Sequence, residues 1–272
     1  MMTVWTALKN RLPFGKKPPL VSVVRLAGSI GSGTRAQLND EALAPVIEKA
    51  FVKGRPAAVA LVINSPGGSP VQSALIAARI RRLAEEKDIP VHAFVEDVAA
   101  SGGYWLAAAA DDIWVDYGSI VGSIGVISAS FGAPEFLARQ GIERRVYTSG
   151  KSKSMLDPFQ PEKKEDVARL KGILEEMHDG FTDYVKARRK DKLTDTKDLF
   201  TGAFWMGRKA IALGLVDGEA HLVPKLKELY GDKVRMVPYG RKRGLFQRFG
   251  ATLAQDAIAA VEERADFARY GL

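Results

Sequence analysis

Two short loops carry the residue types that acyl-transfer chemistry needs. The first is Asn64-Ser65-Pro66-Gly67-Gly68, which follows the apolar run Ala57–Ile63. Glycines let backbone N–H groups approach a bound ligand closely, and a helix N-terminus behind them favours negative charge. The second is Ala99-Ala100-Ser101-Gly102-Gly103. Its hydroxyl sits among small residues that leave room for a carbonyl, and the Gly102 N–H can bind a developing oxyanion. Each loop also has an ordinary reading. Pro-Gly-Gly after a strand is a common turn, and Ser101 at a helix start is a common N-cap. Taken together, after neighbouring strands, they set a nucleophile opposite amide donors.

A serine nucleophile needs a base, and the chain offers few. The three histidines are His92, His178 and His221. His92 lies inside a strand-like run and reads as a satisfied core or surface residue; His178 sits in a long helical stretch, and His221 near a turn. None lies in a loop beside Ser101, so a Ser–His–Asp arrangement is poorly supported. A lysine can replace histidine when desolvation or a neighbouring cation lowers its pKa by several units. The candidate segment is Thr148–Met155, which holds Lys151 and Lys153. With no cysteine in the chain, thiol nucleophiles, disulfides and Cys-based metal centres are excluded.

The surrounding pattern is one of strands alternating with helices. Leu20–Leu26 reads as a strand, and Leu43, Val46, Ile47, Ala50 and Phe51 mark one face of a helix. Ala57–Ile63 is a continuous apolar run, as in a strand buried on both faces of a parallel sheet. Val71–Lys87 is helical in spacing, Pro90–Glu96 is a strand, and Gly102–Ala110 a short helix. Further strands are expected at Asp112–Val115, Ile124–Ser128 and Glu143–Tyr147. This alternation predicts right-handed crossovers and a mainly parallel sheet. Beyond it, Val167, Leu170, Leu174, Met177, Phe181 and Tyr184 predict one helix from Glu162 to Arg189, whose apolar stripe suits either core packing or an oligomer contact. A polar stretch (Lys190–Lys197) follows, then a short helix over Gly207–Leu213 ending at Gly214, a strand over Lys233–Pro238 and a terminal amphipathic helix over Leu253–Ala268. The expected division is a basic-apolar stub (1–19), one catalytic domain (20–238), and a basic linker with the terminal helix (239–272).

At 272 residues and 46% hydrophobic the chain can build a sizeable core. Its net charge of +8 invites a nucleic-acid reading, but the distribution argues against one. Lys9, Arg11, Lys16 and Lys17 lie in the first 20 residues, and Arg241, Lys242, Arg243 and Arg248 in residues 239–250, with no acid in either flank. The body between and around them is neutral. No uninterrupted apolar stretch approaches the ~20 residues of a membrane helix. The stub's Val4, Trp5, Leu8, Leu12 and Phe14, interleaved with bases, suit either a frayed terminus or peripheral contact with an anionic membrane.

Five stretches occur in order: INSPGG (Ile63–Gly68), VAASGGYW (Val98–Trp105), VGSIGVI (Val121–Ile127), TSGKSK (Thr148–Lys153) and GLVDG (Gly214–Gly218). Over Val21–Gly218 the chain thereby resembles the bacterial signal peptide peptidase A family of Ser–Lys proteases, SohB-type members included. The resemblance implies an α/β fold of the Clp-protease/crotonase type, a spiral of β-β-α units with a helical appendage. It implies Ser101 as nucleophile, Lys153 as general base with Lys151 the less favoured neighbour, and Ser123 as the hydroxyl orienting that lysine. The Gly67, Gly68 and Gly102 amides would form the oxyanion hole. The substrate would be a peptide, such as a signal-peptide-like or other small unfolded chain, with no metal or cofactor required. The family also implies homo-oligomeric rings in which serine and lysine of a site come from neighbouring subunits.

Relatives usually carry an anchor or signal sequence where this chain has its basic stub, so the expectation is a cytoplasmic enzyme, peripheral at the inner membrane. Competing classes are a non-catalytic crotonase-like scaffold or membrane-associated adaptor and an acyl-CoA enzyme of the crotonase type. No acidic residue in a matching loop serves the acyl-CoA chemistry, and no module for reading nucleic acid is evident.

Overall fold

The computed structural model describes residues 18–31, 38–240 and 264–272. The stub's residues 1–17 and most of the expected terminal helix lie outside them; residues 264–268 are helical.

An eight-stranded sheet organises the chain. Its strands are β1 (Leu20–Ala27), β2 (Ala58–Ser65), β3 (Val91–Ala100), β4 (Asp112–Val115), β5 (Ile120–Gly122), β6 (Phe204–Met206), β7 (Gly218–Glu219) and β8 (Arg235–Tyr239). The main path runs β6-β5-β3-β2-β1-β8, with β4 joining β3 to β7. Every pairing is parallel except β5 with β6. The β2 strand is buried along Ala58–Ile63, as a parallel strand covered on both faces must be. Val59, Leu61 and Ile63 enter the larger core under helices α1 (Asp40–Val52) and α2 (Pro70–Lys87). Ala58 and Ala60 turn to the opposite layer, where Leu226 of another helix, Leu222–Tyr230, covers them. The period-two alternation of a strand thus splits one sequence run between two layers.

Strand β3 is forked. Its first half, His92–Val95, pairs with β4, and its second half, Val98–Ala100, pairs with β5. The fork sends the end of β3 toward a different neighbour from its start, and the loop after Ala100 opens at that split.

Most expected elements form, including the long helix Lys164–Arg189, the short helices Gly102–Ala107 and Gly207–Ala212, and a left-handed Gly214 after the latter. Two expected strands do not. Around Ile124–Ser128 the strand ends early, because Gly122 (φ 108°) and Ser123 (φ 52°) leave the extended region. Glu143–Tyr147 pairs with no other described strand. It lies in a long arm, and none of residues 125–180 is buried. The apolar stripe of the long helix is divided accordingly: Phe181 enters the core and Tyr184 packs against it, while Met177 stays exposed.

Candidate active site

Strand register brings together residues that the sequence separates. Ser65 aligns with Ala99, and Ala100 with Gly122. The Asn64–Gly68 loop, Ser101 and Ser123 therefore emerge at adjacent strand ends, on the edge where parallel sheets build sites. A cleft of about 420 Å³ opens there, lined by Pro66, Gly67, Gly68, Ser101 and Ser123 among others.

Ser101 joins β3 to the helix Gly102–Ala107 at φ 50°, ψ −121°, a conformation costly for any residue with a Cβ. Its N–H is held by the Gly122 carbonyl at 2.8 Å, and its own carbonyl accepts from Trp105 at 3.0 Å. Its side chain makes no capping bond. The N-cap role is thus not taken up, and Ser101 lines the cleft. Two aromatic residues anchor the short helix behind it. Tyr104 is fully buried and donates to the Leu215 carbonyl at 2.7 Å; burial pushes its phenol well above the ordinary range. Trp105 stacks on Phe181 at 4.5 Å and on Tyr184 at 5.2 Å.

The opposite wall is built by close backbone approach. A Cβ placed on Gly67 would lie 2.8 Å from both the Ala100 oxygen and the Gly102 nitrogen, and one on Gly68 would collide with the Ile30 carbonyl. Ile30 and Gly68 form a parallel bridge in which Ile30 donates to Gly67 and accepts from Ser69. In a parallel bridge of this kind the Gly68 N–H points away from Ile30. The Gly102 N–H, in a first helical turn, has no intrahelical acceptor. Among the described residues neither amide has a recorded backbone acceptor. The Gly67 N–H is engaged differently, donating to Ser65 Oγ at 3.3 Å.

Ser65 was not singled out by sequence reasoning. It is fully buried, and its hydroxyl also donates to the Gly28 carbonyl at 2.7 Å, tying the loop to β1. Its place in the Asn-Ser-Pro-Gly-Gly turn was the only sequence signal. Thr201, Gly202, Val126 and Ile127 also line the cleft, and nothing local in the sequence marked them. Ser123 is held through its N–H by the Ala203 carbonyl at 2.7 Å.

Lys153 is not brought to Ser101 within the single chain. It occupies an exposed turn of the arm, its N–H bonded to the Gly150 carbonyl at 3.2 Å, and it does not line the cleft. Lys151 is exposed in the same turn. The histidines are elsewhere too. His92 is buried between Asp112 (2.9 Å) and the Tyr230 hydroxyl (2.6 Å); His221 pairs with Asp116 at 2.8 Å, and His178 lies 3.4 Å from Thr182 Oγ1.

The GLVDG stretch has a structural task. Asp217 accepts from Arg189 (2.7 Å), Lys192 (2.5 Å) and the Ile113 amide (2.8 Å). Burial disfavours its charge, but these partners outweigh that and hold its pKa below the ordinary carboxylate value.

A family model, peptidase family S49, matches residues 84–229, a stretch that contains Ser101, Ser123 and Lys153. The chain belongs to peptidase family S49. This agrees with the resemblance carried by the five motifs. Among similar proteins, the chloroplastic serine protease SPPA of Arabidopsis thaliana is 30% identical over 72% of this chain and 30% of its own length. A Brucella melitensis protein named as the Na(+)/H(+) antiporter NhaA is 49% identical over 93% of this chain and 37% of its own length. The chain thus spans 37% of the first curated relatives it matches. In fold it is similar to a solved 1510-N membrane-bound stomatin-specific protease variant holding a substrate peptide. The TM-score is 0.50 at 14% identity, over 90% of this chain and 98% of that one. No helix among the described residues is long and apolar enough to cross a membrane.

Proposed function

We propose that this chain is a serine endopeptidase in which Ser101 is the nucleophile and Lys153 the general base. The observation that carries the reading is Ser101 itself, strained at φ 50°, without a capping bond, and lining one cleft with Gly68, whose amide has no backbone acceptor among the described residues. A neutral lysine amine would take the Ser101 proton as Oγ attacks a peptide carbonyl. The oxyanion would be met by the Gly68 and Gly102 N–H groups, with Gly67 shaping the loop. The protonated lysine would then return the proton to the leaving amine, leaving an acyl-enzyme that an activated water hydrolyses. Ser123, one residue beyond the register partner of Ala100, is assigned to orienting the lysine.

Lysine serves as a base only when its amine is neutral, which burial favours, and the arm bearing Lys153 is exposed in the single chain. The reading therefore includes a homo-oligomer in which the arm packs against a second copy and completes its site. The substrate class is an unfolded or signal-peptide-like peptide, and the location cytoplasmic, with peripheral contact through the basic flanks.

The test is hydrolysis of an unstructured reporter peptide by Ser101→Ala and Lys153→Ala. Each should lose activity by at least about 10³-fold while circular dichroism and sedimentation stay unchanged; full activity in either variant overturns the assignment. A non-catalytic scaffold is the competing reading, favoured by the distance of Lys153 from the cleft in one chain. Covalent labelling of Ser101 by a fluorophosphonate separates the two.

A further inference from the structure

The helix that follows Ser101 is short, and its far end is held by two arginines that do not line the cleft. Gly102–Ala107 runs on into Ala108, Ala109 and Ala110, all buried. Carbonyls at the end of a helix have no intrahelical donor and need one from elsewhere. Arg188, near the end of the long helix Lys164–Arg189, donates from Nε to the Ala108 carbonyl and from Nη2 to the Ala110 carbonyl, both at 2.9 Å. Arg81 of α2 donates to the Ala109 carbonyl between them at 3.2 Å. Asp111 sits against both guanidinium groups, 2.7 Å from Arg81 and 3.5 Å from Arg188. Its second oxygen accepts from the Val91 amide at 2.9 Å, where β3 begins.

Arg188 shares one helix face with the aromatic residues that hold Trp105. Phe181, Tyr184 and Arg188 are spaced i, i+3, i+7. The first two stack on Trp105, and the third takes the carbonyls. One stripe of the long helix therefore grips the Ser101 helix at its middle and at its end. A helix of six residues is about 9 Å long, so a tilt of about 6° moves its Ser101 end by about 1 Å. A misplacement of about 1 Å, caused far from the chemistry, is enough to cost about 10²-fold in rate. The residue type also matters. The planar guanidinium reaches two carbonyls at once, which the single ammonium of lysine does not reproduce.

We propose that Arg188 is a positioning residue of the Ser101 site. Through the Ala108 and Ala110 carbonyls it sets the helix that places Ser101 and the Gly102 amide, with Arg81 and Asp111 completing the clamp. The catalytic consequence rests on the peptidase reading; the grip on the helix does not. A residue acting in this way changes the geometry of the transition state and not the walls that bind substrate. Its loss therefore falls on kcat rather than on KM.

The experiment compares the parent chain with Arg188→Ala, Arg188→Lys and Arg82→Ala. The last removes an exposed arginine of α2 that pairs only with Glu86. Steady-state hydrolysis of a reporter peptide and amide hydrogen exchange are measured where circular dichroism shows each protein fully folded. Arg188→Ala should lower kcat by about 10–10²-fold with KM unchanged. Its amides from Gly102 to Asp111 should exchange about tenfold faster. Arg188→Lys should fall between parent and alanine variant in both readouts, and Arg82→Ala should match the parent. If the alanine variant does not fold, Arg188→Lys decides alone. An unchanged kcat, a loss expressed in KM, or unaltered exchange over Gly102–Asp111 overturns the positioning role. If the peptidase reading itself fails, the parent neither hydrolyses the reporter nor reacts with a fluorophosphonate, and hydrogen exchange alone then decides the clamp.

Discussion

Ser101 sits at a backbone angle where glycine would be comfortable, and the chain keeps a hydroxyl there instead. The strain belongs to the junction between β3 and the following helix, not to the side chain, which makes no capping bond. Two substitutions should therefore separate chemistry from stability. Ser101→Ala and Ser101→Gly should both be inactive, but the glycine variant should melt higher than the alanine one, by about 2–4 °C for each kcal/mol of relieved strain. Equal melting temperatures would show that the backbone angle carries no cost. Across the cleft the argument reverses. Gly68, at φ 140° and hard against the Ile30 carbonyl, has no room for a methyl group. Gly68→Ala should lower kcat by about 10²–10³-fold through the displaced amide, which steady-state kinetics on the folded variant will read.

At the scale of elements, the site is a product of register. Ala100 opposite Gly122 and Ala99 opposite Ser65 convert separations of tens of residues into neighbouring strand ends. The other side of the fork is fixed by Asp217, which joins the long helix, through Arg189, to the amide of Ile113 on β4. Arg189 is buried, so Arg189→Ala should destabilise the fold by about 3–5 kcal/mol by leaving Asp217 without its main partner; chemical denaturation will measure it. The pH dependence has a definite sign. The Asp217 pKa is lower folded than unfolded. Its contribution is complete above the unfolded value of about 3.9 and is lost as pH falls through the lower folded one. Melting temperature should drop across that acid window, and Asp217→Asn should flatten the drop while lowering stability at neutral pH.

For the whole molecule, the arm is the feature that adds no buried residue to the core. Phe131 and Tyr147 are 93% and 90% exposed, Phe136 and Ile127 more than half, and no core lies beneath them. Under the oligomeric reading these exposed apolar side chains would be covered by a second copy. Under the oligomeric reading, Phe131→Ser with Tyr147→Ser should shift the protein to smaller species in sedimentation velocity and abolish peptide hydrolysis, although neither residue lines the Ser101 cleft. An oligomer that persists with full activity would count against a site shared between copies. The basic flanks belong to the same scale. Removing residues 1–18 should weaken binding to anionic vesicles and leave hydrolysis unchanged, as vesicle co-sedimentation alongside the peptide assay will test.

Much of this was legible in the residues themselves. Continuous apolar runs named the buried parallel strands, 3.6-residue spacing named the long helix, and Ser101 among alanines and glycines named the cleft's hydroxyl, because these signals are local and set by backbone geometry and burial. The structure was needed wherever partners are distant in sequence. It ended the strand at Gly122 through a left-handed turn, left Glu143–Tyr147 unpaired within the described chain, and turned the aspartate of GLVDG into a latch. It also revealed Ser65 behind the glycine loop and Tyr270 across the cleft. Neither contact carries a local signal beyond the turn that holds Ser65, since a hydrogen bond spanning 37 residues or 204 depends on sheet register and chain path rather than on neighbouring side chains. The residue types that can do the chemistry are written in the sequence; which of them share one cleft, and what lies over it, is decided only when the strands are in register.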